Sequence, residues 1–97
     1  MEWFGVRCIF HYKTNEAYEE RITVWETESF TSAIALAEKE AAEYADDVGC
    51  TYVDLAQAYR LDEPPGNGAE VFSLIRKSDL GSNAYVGRFF STGKEIT

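Results

Sequence analysis

Residues 3–12 alternate with period two. Phe4, Val6, Cys8, Phe10 and Tyr12 form an apolar face; Trp3, Gly5, Arg7, Ile9 and His11 form a mixed one. This is the pattern of a strand with one side against a core. Residues 13–17 are polar and hold Asn15, so the chain turns back into a second strand over 19–27, closing a hairpin. There Ile22 and Val24 suit the buried face, while Glu19, Arg21 and Thr23 suit water. Trp25, the largest apolar side chain, then falls on the watery side.

Helical spacing follows. Ser29 suits an N-cap with Phe30 opening the helix, and Phe30, Ala33, Ile34, Ala37, Ala41, Tyr44, Ala45 and Val48 share one face. Dense alanine favours helix and allows close approach to a sheet. Gly49 is a natural stop. Residues 52–61 read as a third strand, with Val53, Leu55, Gln57, Tyr59 and Leu61 on one side and Tyr52, Asp54, Ala56, Ala58 and Arg60 on the other. DEPPGNG breaks regular structure. Residues 71–77 then read as a fourth strand, apolar on both faces through Phe72 and Leu74, and Val71 and Ile75. Residues 82–91 read either as a strand apolar on both faces or, from Ser82 or Asn83, as a short helix with Tyr85, Val86, Phe89 and Phe90 on one stripe; the helix is the expectation.

The order β-β-α-β-β-α predicts a single α+β domain over residues 1–97: a four-stranded antiparallel sheet, the long helix on one face and a short C-terminal helix. Holding the two apolar strand faces together leaves two registers. One sets Arg7 against Arg21, an unfavourable like-charge pair; the preferred one sets Cys8 opposite Ile22, Val6 opposite Val24, His11 opposite Glu19 and Trp25 opposite Gly5. Trp25 would then lie on the helix-free face, with three readings open. It shields the bare Gly5 backbone, it belongs to a contact surface, or the tail helix folds over it. As a contact surface the face would gather Trp25, Trp3, Arg7, Arg21, Tyr52 and Asp54, rich in the residue types that anchor protein interfaces.

Charge narrows the partners. The net charge is −8, with eleven acids against four bases in residues 1–49 and six against five in residues 50–97. That balance argues against a nucleic-acid partner, which needs phosphates neutralised, and against anionic lipid. No segment reads as a signal peptide or membrane span, and Cys8 and Cys50 form no CxxC pair, so a cytoplasmic protein with reduced thiols is expected. No metal site, cofactor or catalytic group is expected. One histidine is too few for a Cys/His zinc site, Cys8 reads as a buried hydrophobe, and PPGNG lacks a phosphate-loop lysine. Asp54, mid-strand, is expected to pair with Arg7, Arg21 or Arg60.

WFGVRCIF, YEERITVWETESFTSAIALAEKEAAEYA, YVDLAQAYRL and SDLGSNAYVGRFFSTGKE together resemble a family of short bacterial single-domain proteins of unknown function. The resemblance spans nearly the whole chain and implies a compact bacterial protein with no assigned enzyme activity and no catalytic residues. The function expected is a non-enzymatic module that binds a protein or itself through the helix-free sheet face. One alternative is an acidic immunity- or antitoxin-type inhibitor of a basic toxin. Another is a small-molecule-binding domain or small enzyme with a pocket near Asp54.

Overall fold

The computed structural model describes residues 1–90 and residue 93. Five elements follow in order: β1 (Glu2–Tyr12), β2 (Ala17–Thr27), α1 (Phe30–Val48), β3 (Thr51–Arg60) and α2 (Ser82–Phe89). The sheet has three antiparallel strands in the order β2-β1-β3, with α1 across one face. Both ends of α1 fall where the cap residues place them. The Ser29 side chain accepts from the Ser32 amide at 3.1 Å, and Gly49 takes the left-handed conformation at φ 78°. The expected tail helix forms as α2, but Gly81 precedes it without a side-chain cap, and residue 91 lies outside the described residues.

The core is a size match. Ala33, Ala37, Ala41 and Ala45 are the buried residues of α1, and Phe4, Val6, Cys8 and Phe10 of β1 lie beneath them. Alanine brings the helix backbone close to the sheet, and large sheet side chains fill the space. Tyr44, Tyr52, Trp25, Ala56 and Ala58 pack around this cluster. Phe10 meets Tyr44 edge-on at 5.1 Å and Tyr52 at 5.6 Å. Leu61, also buried, donates its N–H to the Trp3 carbonyl at 2.9 Å and pins the end of β3 to the start of β1.

Two expectations are overturned. The first is the fourth strand. Residues 71–77 hold no regular secondary structure, and among the described residues no strand follows β3 at that edge. The register against β1 shows why that edge is a poor template. Two steps along β1, Cys8 to Phe10, are matched by four along β3, Ala56 to Tyr52, so β3 bulges. Asp54 sits in the bulge at φ 59°. A bulge bends its strand and breaks the row of edge hydrogen-bonding groups a further strand would use.

The second is the hairpin register. Phe4 faces Trp25, Gly5 faces Val24, Val6 faces Thr23, Cys8 faces Arg21 and His11 faces Tyr18. This is one residue away from the expected pairing, and a one-residue slip turns the whole strand over. Trp25 and Arg21 therefore lie on the helix side, and Ile22 and Val24 on the other. An alanine-lined helix leaves room that Val and Ile cannot fill, whereas Trp25 beside Phe4 can.

Ala37→Leu, which forces extra methyls into this close contact, is expected to cost about 1–3 kcal/mol in denaturant unfolding. No loss would mean that the helix does not sit tightly on the sheet. Asp54→Val is expected to cost about 1–2 kcal/mol, since a β-branched residue resists the left-handed region, while Asp54→Gly is tolerated. Equal stability of the two variants would show that the bulge lacks this conformation.

Candidate functional site

Strand parity assigns each expected site residue to a face. On β1, Trp3 and Arg7 join Gly5, Ile9 and His11 on the helix-free side, opposite the buried Phe4, Val6, Cys8 and Phe10. Trp25, Arg21 and Tyr52 lie on the other side, against α1. The structure thus brings Trp3 and Arg7 to one face, keeps Trp25, Arg21 and Tyr52 on the opposite one, and leaves Asp54 in the edge bulge.

The helix-side residues are occupied in joining the layers. Arg21 donates to both carboxylate oxygens of Glu40 at 2.6 and 3.0 Å, with its guanidinium 3.8 Å from the Tyr44 ring centre. Tyr44 and Tyr12 both donate to Glu19, at 2.8 and 3.0 Å. Tyr52 donates to Glu38 at 2.6 Å, and the Trp25 indole N–H donates to the Thr23 hydroxyl at 2.7 Å. Burial pushes the Cys8 thiol up from its ordinary value, partly offset by a hydrogen bond with Tyr52. A thiol held protonated in this way is a packing group rather than a thiolate nucleophile.

Asp54 takes none of the expected arginine partners. Arg7 pairs with Glu20 at 3.4 Å, Arg21 with Glu40, and Arg60 with Glu2 at 3.2 Å. Asp54 is exposed and lines neither of two shallow clefts. One, about 150 Å³, runs from Tyr59 to Ser73; the other lies between Met1, Trp3, Glu26 and Glu63. His11 stacks on Tyr18 with ring centres 4.5 Å apart instead of meeting Glu19. Among the described residues no group of three or more His, Cys, Asp or Glu side chains is placed to hold a metal ion, and no helix is long and apolar enough to cross a membrane.

The helix-free face is built around Arg7. Its guanidinium reaches Glu20 on β2 and Gln57 on β3, and lies 5.2 Å from the centre of the Phe72 ring. Phe72, from the segment beyond β3, meets Tyr59 edge-on at 5.4 Å. Tyr59 lies over Gly5 so closely that a Cβ at position 5 would overlap its ring. The reading in which Trp25 shields Gly5 is thereby overturned: the aromatic over Gly5 is Tyr59 of β3. The Arg7 Nε and the Tyr59 hydroxyl are buried here without hydrogen-bond partners. Towards β2 the cover ends. Ile22 and Val24 are 38% and 37% exposed, beside half-buried Trp3 and Ile9.

Ile22, Val24, Ile9, Tyr59 and Phe72 are therefore the residues that sequence reasoning missed. The available signal was volume: four small helix positions call for the largest neighbouring strand residue, Trp25, and push Ile22 and Val24 outward. The chain matches no family model, no curated protein and no solved structure.

Burial pushes the Tyr52 and Tyr59 phenols up. The Glu38 hydrogen bond adds to this at Tyr52, and Arg7 draws Tyr59 part of the way back. An unfolded phenol titrates near about pH 10. The folded protein holds these protons to higher pH, so their contribution to stability is complete below about pH 10 and is lost as pH rises towards the folded values. Unfolding measured from about pH 9 to 11.5 is expected to show falling stability above pH 10, and a shallower fall in Tyr52→Phe. Identical pH profiles for the variant and wild type would count against a buried Tyr52 phenol.

Proposed function

We infer that the protein is a non-enzymatic binding module that engages a protein surface through its helix-free sheet face. One observation carries this reading: Ile22 and Val24 stand side by side on a regular strand, part-exposed, flanked by Trp3, Ile9 and Arg7, while the opposite face of the same sheet is closed by α1. Contiguous apolar surface rimmed by polar groups is the signature of an interaction site. Glu20 and Glu26 on β2 and the Arg7 guanidinium supply a polar rim that orients a partner. Against an enzymatic reading, Asp54, His11 and Cys8 lie on different parts of the fold.

The site is carried by Ile22, Val24, Trp3 and Arg7, with Trp25, Arg21 and Tyr52 as the frame behind it. Val24→Asp is expected to abolish capture of a partner from a host lysate while leaving the unfolding midpoint nearly unchanged. Trp25→Ala is expected to cost about 2–3 kcal/mol, because it empties packing beside Phe4. A Val24→Asp protein that still captures every partner held by wild type would rule out this face. A fully stable Trp25→Ala would rule out Trp25 as part of the frame.

A further inference from the structure

Beyond β3 the chain forms an arm whose apolar side chains are left in water. Leu74 is 54% exposed, Ile75 88%, Val86 47% and Phe90 62%. α2 has eight residues, no buried side chain and no side-chain cap, and makes no close backbone contact with the sheet or α1. Its aromatic contacts stay within the arm: Tyr85 lies 4.7 Å from Phe89, and Arg76 lies 4.6 Å from Phe89. A helix this short is marginal in water without a surface to pack on.

Several observations identify that surface. The arm and the body carry opposite charge: residues 71–90 hold Arg76, Lys77 and Arg88 against Asp79 alone, whereas residues 1–49 hold eleven acids against four bases. The body offers the half-covered face of the preceding section, where Phe72 sits on the β3 side and the Ile22–Val24 strip on β2 stays open. The arm also stands off its own body. The radius of gyration is 15.5 Å, against about 12.5 Å for a compact domain of this length. Finally, the twenty residues from 71 to 90 match the roughly 20–30 residues per side of a standard interface.

We propose that residues 74–90 of each copy lie across the Ile22–Val24 strip of a second copy, giving a two-fold dimer with reciprocally exchanged arms. The exchange rests on the reading of the helix-free face as a binding surface and names its partner as the chain itself. Phe72, wedged against Tyr59 and Arg7, is the point where the arm leaves its own body. The basic residues of the arm meet Glu20 and Glu26, the acids of β2 that share the face of Ile22 and Val24, so the contact weakens as salt rises. Such isologous exchange is a low-cost route to a dimer.

The test is the mass of the full chain by sedimentation velocity at about 100 μM, a concentration that populates even a micromolar dimer. Wild type is expected at twice the 10.9 kDa of one chain. Ile75→Asp in the arm and Ile22→Asp on the face are each expected to return the monomer, with unchanged circular dichroism. Ile75 is almost fully exposed, so its loss cannot act by unfolding the body. A monomeric wild type overturns the exchange, and so does a dimer that survives either substitution. A monomeric wild type whose partner capture is still lost in Val24→Asp would remove the exchange and leave the binding face standing.

Discussion

The contact on which the rest depends is the close approach of an alanine stripe to an aromatic sheet. Ala33, Ala37, Ala41 and Ala45 remove the bulk that would hold α1 away, so the volume between the layers must come from the strands. Phe4 and Phe10 supply much of it from the central strand, and Trp25 and Tyr52 complete it from the flanks. This one requirement sets the orientation of β2. Once Trp25 is drawn under the helix, Arg21 follows on the same side and reaches Glu40, and Ile22 and Val24 must face outward. The exposed strip is a consequence of how the core is filled.

The polar groups obey the same geometry. Arg21, Glu40, Tyr44, Glu19 and Tyr12 form a connected set along the seam between helix and sheet. Arg21 and Glu40 are each about 30% exposed, so the pair adds orientation more than stability. On the far face a second arginine, Arg7, plays a comparable part. It ties the three strands together through Glu20 and Gln57 and seats Phe72. The two arginines that pattern alone would place on one face hold opposite faces in order.

The third constraint is the edge. The bulged outer edge of β3 has no ready place for the apolar segment that follows it, and the chain leaves that segment as an arm. Val71, Phe72, Leu74 and Ile75 have strand-like character without a strand partner. A sequence with this much β-propensity beyond the last strand makes physical sense if its surroundings are supplied by another molecule. An open face and an uncovered arm in the same chain are then two halves of one arrangement.

Local signals were legible without coordinates because they depend on neighbours in the chain. Period-two alternation marked all three strands. Ser29 and Gly49 bounded α1 to the residue, since a cap is a matter of one side chain and one backbone conformation. The stripe from Tyr85 to Phe89 marked α2. Parity between strands was not legible from alternation alone. Ile22 and Val24 or Thr23 and Trp25 can face inward with equal local logic, and only the space left by the alanine stripe decides between them. Nor was the fourth strand decidable, since residues 71–77 have the right pattern and a strand exists only when an edge accepts it. The bulge at Asp54 arises from the pairing of β3 with β1, and no run of residues announces it. The sequence by itself determined the three strands that form, the two helical segments and both ends of α1. The tertiary structure alone decided which face of β2 meets the helix and that residues 71–77 form no strand, because those depend on volumes and edges brought together from distant parts of the chain.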